Sequence, residues 1–292
     1  MTPETLALVL LSALLHAGWT ALIKDSRDPL AFNLLQTAPF VPPILLLLSR
    51  VDLGVVPDAT WRMLAASCGI HAAYVYWMAR ALERAELSVV YPIMRSTPAF
   101  LPLVAAPLLG ERLSLQGAAG IAVVVAGMWL VHTRGQWSWA SFVRPGTGFA
   151  YLVLLATVAY SITDKAAMAA LDGVAWREPV PRALFYFLLL GVGHATCVAP
   201  FVLRRTRPRA LWEQGRAEWR RILLAAVGTT GGYTLILEAL RHAPVSYVAA
   251  VRQSSVLFAV AIGVFWLKEA PTRPGVLGAL LTVIGVALVS FA

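Results

Sequence analysis

The chain has 292 residues, of which 59% are apolar and only 13% are charged, whereas a soluble domain carries about 25% charged residues. Its apolar residues fall in runs of about 18–24, long enough to cross a hydrocarbon core of about 30 Å, so the composition excludes a soluble globular enzyme. The net charge of +9 does not indicate a nucleic-acid partner, because the densest basic run, 204–209, adjoins an apolar segment and is typical of contact with anionic lipid headgroups or of a topology signal.

Ten apolar segments predict an all-α membrane protein with ten transmembrane helices and both termini on one side. The first segment starts within a few residues of Met1 with no basic stretch before it, so we interpret it as a retained span and not as a signal peptide. The stretches 51–60, 133–145 and 204–220 are predicted as loops, with Trp137 and Trp139 at a headgroup interface. The spans are predicted near residues 5–23, 30–49, 61–82, 88–109, 115–132, 147–166, 182–203, 221–240, 245–267 and 274–291.

The sequence repeats itself at a constant offset. Residues 81–131 align without a gap on residues 239–289 (239 − 81 = 158). Each copy covers three predicted spans and follows two more, so each half holds five. An odd number of spans makes the second half enter the bilayer from the opposite side, which is the inverted repeat of many secondary transporters. We therefore predict a first five-helix repeat over 1–133, a connecting loop over 134–146 and a second five-helix repeat over 147–292.

Prolines and glycines inside the spans predict bends and close contacts. Proline kinks a helix, and bundles in membranes tolerate this where neighbours satisfy the freed carbonyl. Span nine has no proline between Val245 and Lys268, so we expect the two halves not to move identically. Small residues in the fifth and tenth spans are expected to let helices approach closely. The bends are predicted at Pro92, Pro98, Pro102 and Pro107 of span four and at Gly228, Gly231 and Gly232 of span eight, and the close contacts at Gly117, Gly120, Gly275 and Gly278.

Several features together resemble the EamA type of the drug/metabolite transporter superfamily. A Gly-Glu-Arg-Leu-Ser segment at 110–114 follows span four, residues 268–272 stand at the corresponding place in the second half, and the first span carries 16–20 followed by Lys24. The resemblance covers the whole chain. It implies a transporter that is not an enzyme, needs no cofactor and works as a monomer in the bacterial inner membrane. Characterised members export amino acids, including aromatic ones, or other small metabolites, so an amino-acid substrate is implied.

Two arginines are predicted inside spans, where an arginine costs about 2.5–3.5 kcal/mol near the bilayer centre. Arg95 lies in the first half of span four and Arg252 in the first half of span nine. A guanidinium in a water-filled vestibule attracts a carboxylate, so we predict that both contact the substrate. The alternative is that each arginine reaches towards an interface or joins two helices.

Aromatic and histidine side chains in both halves predict a central cavity with aromatic walls and a few polar groups, which suits an amphiphilic organic solute better than an ion. His16 and His71 are candidates for carrying a proton or for hydrogen bonding to the substrate, although a lone membrane histidine is more often a packing residue. The predicted substrate-binding residues are His16, Trp19, His71, Tyr74, Tyr91, Arg95, Tyr160, Tyr233, Tyr247 and Arg252.

Two charged pairs at span ends are predicted to act in gating or coupling. Arg80 and Glu83 stand at the end of span three, and Glu238 and Arg241 stand in the reverse order at the matching place in span eight. Such i,i+3 pairs contribute about 0.2–0.5 kcal/mol on a helix surface, so an interfacial ion pair is the simpler interpretation. Glu238 is the preferred acid for proton coupling. Asp164 and Lys165 are expected to end span six and to pair with each other or with a headgroup.

Other functions fit the sequence less well. A membrane enzyme acting on lipid-linked substrates would carry clustered acids for Mg²⁺ or a histidine–acid pair at the membrane surface. The inverted repeat disfavours a receptor or scaffold, whereas a carrier of a drug, nucleotide sugar or lipid precursor stays open. Cys68 and Cys197 lie in apolar runs and indicate neither a disulfide nor a metal site. No Gly-x-x-x-x-Gly-Lys-[Ser/Thr] motif occurs, so we expect a gradient of substrate or of an ion as the driving force.

Overall fold

The computed structural model describes residues 1–24, 26–85, 87–133, 142–143, 146–261 and 272–292. All regular secondary structure in these ranges is helical. Seven segments in these ranges are long and apolar enough to cross a membrane, and Pro3–Trp19 forms a shorter apolar helix. The protein is therefore an all-helical, multi-pass membrane protein. The predictions for Trp137, Trp139 and residues 268–271, and for the side chains of Thr20 and Lys24, lie outside what the structure describes.

The helices of the first half are joined by short turns. Asp28 caps the second helix, because its side chain accepts hydrogen bonds from the backbone N–H groups of Leu30 and Ala31, and Pro29 occupies the first helical position. Gly110 ends the sixth helix with a φ of 67°, a conformation that favours glycine. The helices are α1 (Pro3–Lys24), α2 (Pro29–Leu35), α3 (Val41–Arg50), α4 (Asp58–Arg84), α5 (Leu87–Arg95), α6 (Thr97–Leu109) and α7 (Leu115–Thr133), with short 3₁₀ turns at Ala38–Phe40 and Leu53–Val55.

The described part of the second half contains six further helices. The chain returns to its starting point, since the Met1 amino group donates to the Ser290 carbonyl oxygen at 3.1 Å, so both termini lie at one end of the bundle. The helices are α8 (Gly148–Asp172), α9 (Arg182–Arg205), α10 (Pro208–His242), α11 (Val245–Arg252), α12 (Ser255–Ala261) and α13 (Arg273–Ser290).

Matching helices of the two halves run in opposite directions. α4 and α10 occupy the same place in the repeat, and both pack against α8. The end of α4 lies beside the start of α8, where the Arg84 guanidinium is 4.8 Å from the centre of the Phe149 ring. The end of α10 lies beside the end of α8, where Arg241 is 2.7 Å from Asp172. Because α4 is antiparallel to α8 and α10 is parallel to it, the two halves are inverted relative to each other.

Glycines bring α7 and α13, the last helix of each half, into backbone contact. The two helices are antiparallel, with Gly120 facing Val289 and Gly127 facing Gly278. A Cβ atom at Gly278 would lie 2.5 Å from the Gly127 carbonyl oxygen, so a side chain there would force the helices apart. Two of the four glycines predicted for such contacts therefore lie in this interface.

The other two predicted glycines do not contact the opposite helix of this pair. Gly117 faces the side chain of Tyr247, and Gly275 faces Thr272, whose hydroxyl caps α13. Gly127 of α7 and Gly285 of α13 instead make the further close contacts between these two helices, and neither was predicted to do so. Helix rotation, which decides the contacting face, depends on the neighbouring helices and not on the glycine spacing alone.

Two matching spans are interrupted in the middle. Ser96 separates α5 from α6, and Gln253 and Ser254 separate α11 from α12, so Ser254 stands at the repeat position of Ser96. Proline explains the first break, because Pro98 stands in the first turn of α6. The second break occurs without a proline. Both halves therefore have a helix break at the matching position, although only the first half has prolines there.

The expected loop before span eight is wrong. The stretch 204–220 is almost wholly helical, since α9 continues to Arg205 and α10 begins at Pro208, in a run rich in the strong helix formers Arg, Ala, Leu and Glu. α10 continues through Gly228, Gly231 and Gly232 to His242, and the bend expected at these glycines stays a prediction. These glycines give α1 room to pack against α10.

Candidate functional site

The two intramembrane arginines are the last helical residues before the two breaks. Arg95 ends α5 and Arg252 ends α11. Arg95 Nη2 lies 3.4 Å from His16 Nε2, and the Arg252 guanidinium lies 5.7 Å from the centre of the Tyr233 ring. His16 contacts Trp19, and Trp19 lies against Gly232, the residue before Tyr233. Arginines from opposite halves of the chain therefore face one central region.

A histidine–tyrosine group lies in this region and is contributed by both halves. His71 of α4 stacks on Tyr160 of α8 with 4.2 Å between ring centres, and Tyr74 meets Tyr160 edge-on at 5.8 Å. His71 Nε2 lies 3.0 Å from the Tyr233 hydroxyl of α10. Tyr160 and Tyr233 are each 8% exposed. Four of the residues predicted from the sequence are thus in mutual contact across the interface between the halves.

α1 adds His16 and Trp19 to the same region. The two rings meet edge-on with 4.7 Å between their centres. Trp19 lies against Gly228 and Gly232 of α10, and a Cβ atom at Gly232 would lie 2.5 Å from the indole ring. The Ser12 hydroxyl donates to the Gly232 carbonyl oxygen at 2.7 Å. The glycines of α10 therefore position the aromatic residues of α1 beside the arginines.

Asp164 is the central residue that sequence reasoning assigned wrongly. It does not lie at the end of a span, because α8 continues for two further turns to Asp172, and it is only 1% exposed. Its carboxylate accepts hydrogen bonds from Ser67 at 2.6 Å, Tyr186 at 2.9 Å and Tyr233 at 2.5 Å. One signal could have revealed it, since Asp164 stands four residues after Tyr160 and so shares its helix face.

Lys165 points away from this carboxylate. Its ammonium group donates to the carbonyl oxygens of Leu240 and Ala243, the latter at 3.0 Å, and so caps the C-terminal end of α10. The expected pairing of Asp164 with Lys165 or with a headgroup is therefore wrong. Adjacent residues of a helix project about 100° apart, and here they serve two different neighbours.

Tyr91 and Tyr247, two of the predicted substrate residues, make their described ring and hydrogen-bond contacts outside the histidine–tyrosine group. Tyr91 stacks on His132 of α7 with 5.8 Å between ring centres. The Tyr247 hydroxyl accepts a hydrogen bond from the Ser114 backbone N–H at 3.1 Å and lies against Gly117. These contacts tie α5 and α11 to α7. Tyr91 and Tyr74 pack against the same buried apolar cluster, and the substrate role of Tyr91 and Tyr247 stays a prediction.

The predicted charged pairs lie at opposite ends of α8. Arg80 Nη1 is 2.7 Å from Glu83, which also contacts Arg205 of α9 at 3.2 Å. At the other end, Arg241 is 2.5 Å from Glu238, and it also contacts Asp172 of α8. Each pair therefore connects two helices at one end of the bundle. Glu238, the acid preferred for proton coupling, is part of such an interfacial group.

An apolar cavity between two helices is separate from this site. It measures about 750 Å³ and lies between α6 and α7, where its lining is mainly apolar and includes Pro102, Val125 and Trp129. None of the predicted substrate residues lines it. Within the residues that the structure describes, no group of three or more His, Cys, Asp or Glu side chains is placed to hold a metal ion.

Comparison with known proteins places this arrangement in a family. A solved crystal structure, described only as a protein, has a TM-score of 0.73 at 19% sequence identity, over 99% of this chain and 97% of the other, a likeness that concerns the fold alone. No curated protein matches the chain. The profile of the EamA-like transporter family matches residues 4–133 and again residues 147–291. Since the two matches cover both halves, the chain belongs to the EamA-like transporter family of the drug/metabolite transporter superfamily.

Proposed function

We propose that the protein is a ten-span secondary transporter that exports small organic metabolites, namely amino acids including aromatic ones, from the bacterial cytoplasm across the inner membrane. It works as a monomer, with repeats over 1–133 and 147–292 joined by 134–146. The two repeats expose a central site alternately to the two sides of the membrane. Family membership supports the transport activity, and the site supports the class of solute.

The observation that carries the proposal is that Arg252 covers Tyr233 of the histidine–tyrosine group, while Arg95 lies beside His16, whose neighbour Trp19 packs next to Tyr233. Each arginine stands at the inner end of an interrupted helix, and one comes from each half. A guanidinium group offers paired N–H donors to a carboxylate. The rings of Trp19, Tyr74 and Tyr160 offer apolar surface beside it. A solute with a carboxylate and an aromatic side chain suits both.

The helix break in the second half adds two buried polar atoms whose hydrogen-bonding capacity the described residues do not use. Gln253 Oε1 and the Ser254 hydroxyl are buried and have no hydrogen-bond partner among the described residues. Buried polar atoms normally find partners, so such atoms need an explanation. Broken helices in secondary transporters commonly present polar groups to the solute near the middle of the bilayer. These atoms are suited to the amino group or the carboxylate of an amino acid.

Counterflow in proteoliposomes tests the proposal. Vesicles loaded with unlabelled phenylalanine, tryptophan or threonine should take up the labelled compound faster than empty liposomes do. Unlabelled tryptophan should compete, whereas tryptamine, which lacks the carboxylate, should compete at least about tenfold less well, since about 1.4 kcal/mol corresponds to tenfold. Equal competition by tryptamine would remove the role of the arginines.

Absence of counterflow from folded protein would remove the amino-acid assignment. The same vesicles would then be loaded with a nucleotide sugar, a cationic drug or a lipid precursor, which are the other solutes compatible with the sequence. Uptake of one of these in place of the amino acids would replace the proposed substrate class and leave the transport activity intact.

A further inference from the structure

The buried carboxylate of Asp164 is the centre of a hydrogen-bond network that joins four helices. Ser67, Tyr186 and Tyr233 contact its oxygens at 2.6, 2.9 and 2.5 Å. His71 extends the network, with Nε2 3.0 Å from the Tyr233 hydroxyl and Nδ1 2.9 Å from the Ser67 carbonyl oxygen. Asp164 stands eight residues before the end of α8, which at about 1.5 Å per residue places it about 12 Å from that end.

Counting hydrogens constrains the protonation of this network. Each hydroxyl has one hydrogen to donate, and a carbonyl oxygen has none. When Asp164 is ionised, the three hydroxyls donate to it. His71 then faces two acceptors, the Tyr233 oxygen and the Ser67 carbonyl oxygen. It satisfies both only as an imidazolium, which carries a hydrogen on each nitrogen.

A second arrangement satisfies the same contacts with the same number of hydrogens. Protonated Asp164 donates from Oδ2 to the Tyr233 oxygen, Tyr233 donates to Nε2 of a neutral His71, and Nδ1–H donates to the Ser67 carbonyl oxygen. The two arrangements differ by the movement of one proton between Asp164 and His71 through the Tyr233 hydroxyl. With one proton fewer, Tyr233 donates to the ionised Asp164, because a hydrogen bond to a charged acceptor is the stronger one, and its contact with His71 of the first half loses its hydrogen.

We propose that Ser67, His71, Asp164, Tyr186 and Tyr233 form a binding site for one proton, and that this proton is exchanged for the transported solute. The second part rests on the proposed transport function. Ser67 and His71 belong to the first half of the chain, and the other three belong to the second. Release of the proton therefore weakens a contact between the halves, which move relative to each other in alternating access. Proton binding and the position of the two halves are coupled through this contact.

The titratable and charged groups that face the network come from the helices packed around it. Tyr160 stacks on His71, and the His194 ring of α9 lies 6.4 Å from the His71 ring, centre to centre. The Cys68 thiol donates to a backbone carbonyl of α9. Arg252 of α11 covers the Tyr233 ring, whereas Lys165 is engaged at the end of α10.

Proteoliposomes with an interior one pH unit more acidic than the exterior separate proton coupling from transport. The membrane potential is clamped with potassium and valinomycin, and counterflow of labelled phenylalanine without a pH gradient measures transport alone. If one proton exchanges for one solute, the gradient should concentrate phenylalanine about tenfold inside, because one pH unit is a tenfold ratio. Counterflow without this accumulation in the wild type overturns the proton site and leaves the transport function intact. No counterflow of phenylalanine from folded protein overturns the amino-acid assignment, and the pH-gradient test is then made with the solute that the vesicles do take up.

Asp164→Asn resolves the role of the carboxyl group. The amide mimics the protonated acid, since its oxygen accepts from Ser67 and Tyr186 while its NH₂ group donates to Tyr233, so the variant is expected to fold. Counterflow measures the transport that the variant retains, and the accumulation at equilibrium should fall from about tenfold to no accumulation. Tenfold accumulation by this variant would overturn the proposal.

Two further variants complete the test. Glu213→Gln removes an exposed carboxylate from α10 and should accumulate phenylalanine as the wild type does. If Asp164→Asn does not fold, His71→Gln, which removes the other group that can hold the proton, is measured for pH-driven accumulation, whatever its rate of counterflow. Retention of pH-driven accumulation by folded His71→Gln would then contradict the site.

Discussion

At the scale of single residues, Arg95 and Arg252 have two possible roles, which are to stabilise the end of a half-helix and to bind a carboxylate of the solute. Each is the last residue of a half-helix, where the partial negative charge of the helix end stabilises a cation by about 0.3–1 kcal/mol. That role needs only the helix end. The second role, binding a solute carboxylate, also needs the two guanidinium groups to face a common space. Arg95 contacts His16 and Arg252 covers Tyr233, and Trp19 joins the two places because it touches His16 and Gly232, so both guanidinium groups border one region.

Kinetics of the arginine variants distinguish these roles. Arg95→Gln and Arg252→Gln are each expected to raise the KM for phenylalanine about tenfold or more, since a hydrogen bond to a charged group contributes about 1.5–3 kcal/mol. Initial rates of counterflow at varied phenylalanine concentration measure this. A role at the helix end alone would lower the unfolding temperature and leave KM unchanged. Arg220→Gln, on an exposed part of α10, is the control, and unchanged transport and expression in both test variants would end the assignment.

The histidine–tyrosine group and its carboxylate show where residue-level prediction succeeded and where it did not. Their residue types and repeat positions singled out His71, Tyr160 and Tyr233, and the structure brings these three together. Asp164 was placed at a span end because the apolar run becomes polar there. Its burial results from the extension of α8 and from α4, α9 and α10 covering one face. A sequence does not state which face the neighbours cover.

At the scale of elements, each helix break is stabilised by its own side chain. The Ser96 hydroxyl donates to the Pro92 carbonyl oxygen at 2.6 Å and accepts from the Trp129 indole N–H at 2.8 Å. The Gln253 amide donates to the Ala249 carbonyl oxygen at 3.4 Å. In both cases the carbonyl four residues earlier keeps a donor. This compensation lets an interrupted helix stay buried in an apolar bundle.

Glu111, from the Gly-Glu-Arg-Leu-Ser segment of the first half, caps the helix that carries Arg252. Its carboxylate accepts from the backbone N–H groups of Val245 and Ser246 and from the Ser246 hydroxyl at 2.7 Å. Glu111→Gln removes the charge at this N-terminus and is expected to destabilise the protein by about 1–2 kcal/mol. Thermal unfolding in detergent measures the change.

The control for this variant removes a glutamate that stabilises little. Glu213→Gln breaks an exposed i,i+4 pair with Arg209, and such a pair contributes about 0.3–0.5 kcal/mol. An unfolding temperature of Glu111→Gln equal to that of Glu213→Gln would contradict the capping role.

The packing of α7 on α13 depends on the absence of side chains. Gly278→Ala places a methyl group 2.5 Å from the Gly127 carbonyl oxygen, so the helices must separate. Overpacking of this kind costs about 1–3 kcal/mol, and the unfolding temperature should fall accordingly. Gly69→Ala on an exposed face of α4 meets no atom within 4 Å and is the matched control. It should be neutral or stabilising, because alanine is the better helix former, and a loss equal to that of Gly278→Ala would refute the packing argument.

At the scale of the whole molecule, inversion places the two charged groups at opposite ends of the bundle. Glu83 connects α4 to α9 through Arg205 at one end, and Arg241 connects α10 to α8 through Asp172 at the other. In alternating access, one end opens while the other closes. Contacts that connect helices at a single end are therefore placed to favour closure of that end.

Disrupting the two charged groups is expected to produce opposite changes in access. In a background without Cys68 and Cys197, reporter cysteines are introduced by Ala150→Cys and, separately, Ala167→Cys, since both alanines are buried and lie near opposite ends of α8. Glu83→Gln should increase alkylation of the reporter at 150 relative to that at 167, by about twofold or more if the contacts contribute about 0.5 kcal/mol.

Arg241→Gln is the counterpart at the other end and should reverse this preference. The reporters are alkylated with a membrane-impermeant maleimide in vesicles that are open to both sides, so that orientation in the bilayer does not affect the comparison. The same shift in both variants would contradict a gating role for the charged groups.

The sequence by itself determined that the chain is a multi-pass helical membrane protein with two related halves, because hydrophobic length and an internal repeat are properties of the chain alone. It also located the aromatic and cationic residues from which a site is built. The odd number of spans in each half also predicted that matching helices run in opposite directions. Only the tertiary structure decided that span nine is interrupted without proline and that 204–220 is almost wholly helical. It alone revealed the environment of Asp164. The physical reason is that hydrogen bonding and burial inside a bundle depend on which helices meet and on which faces they present.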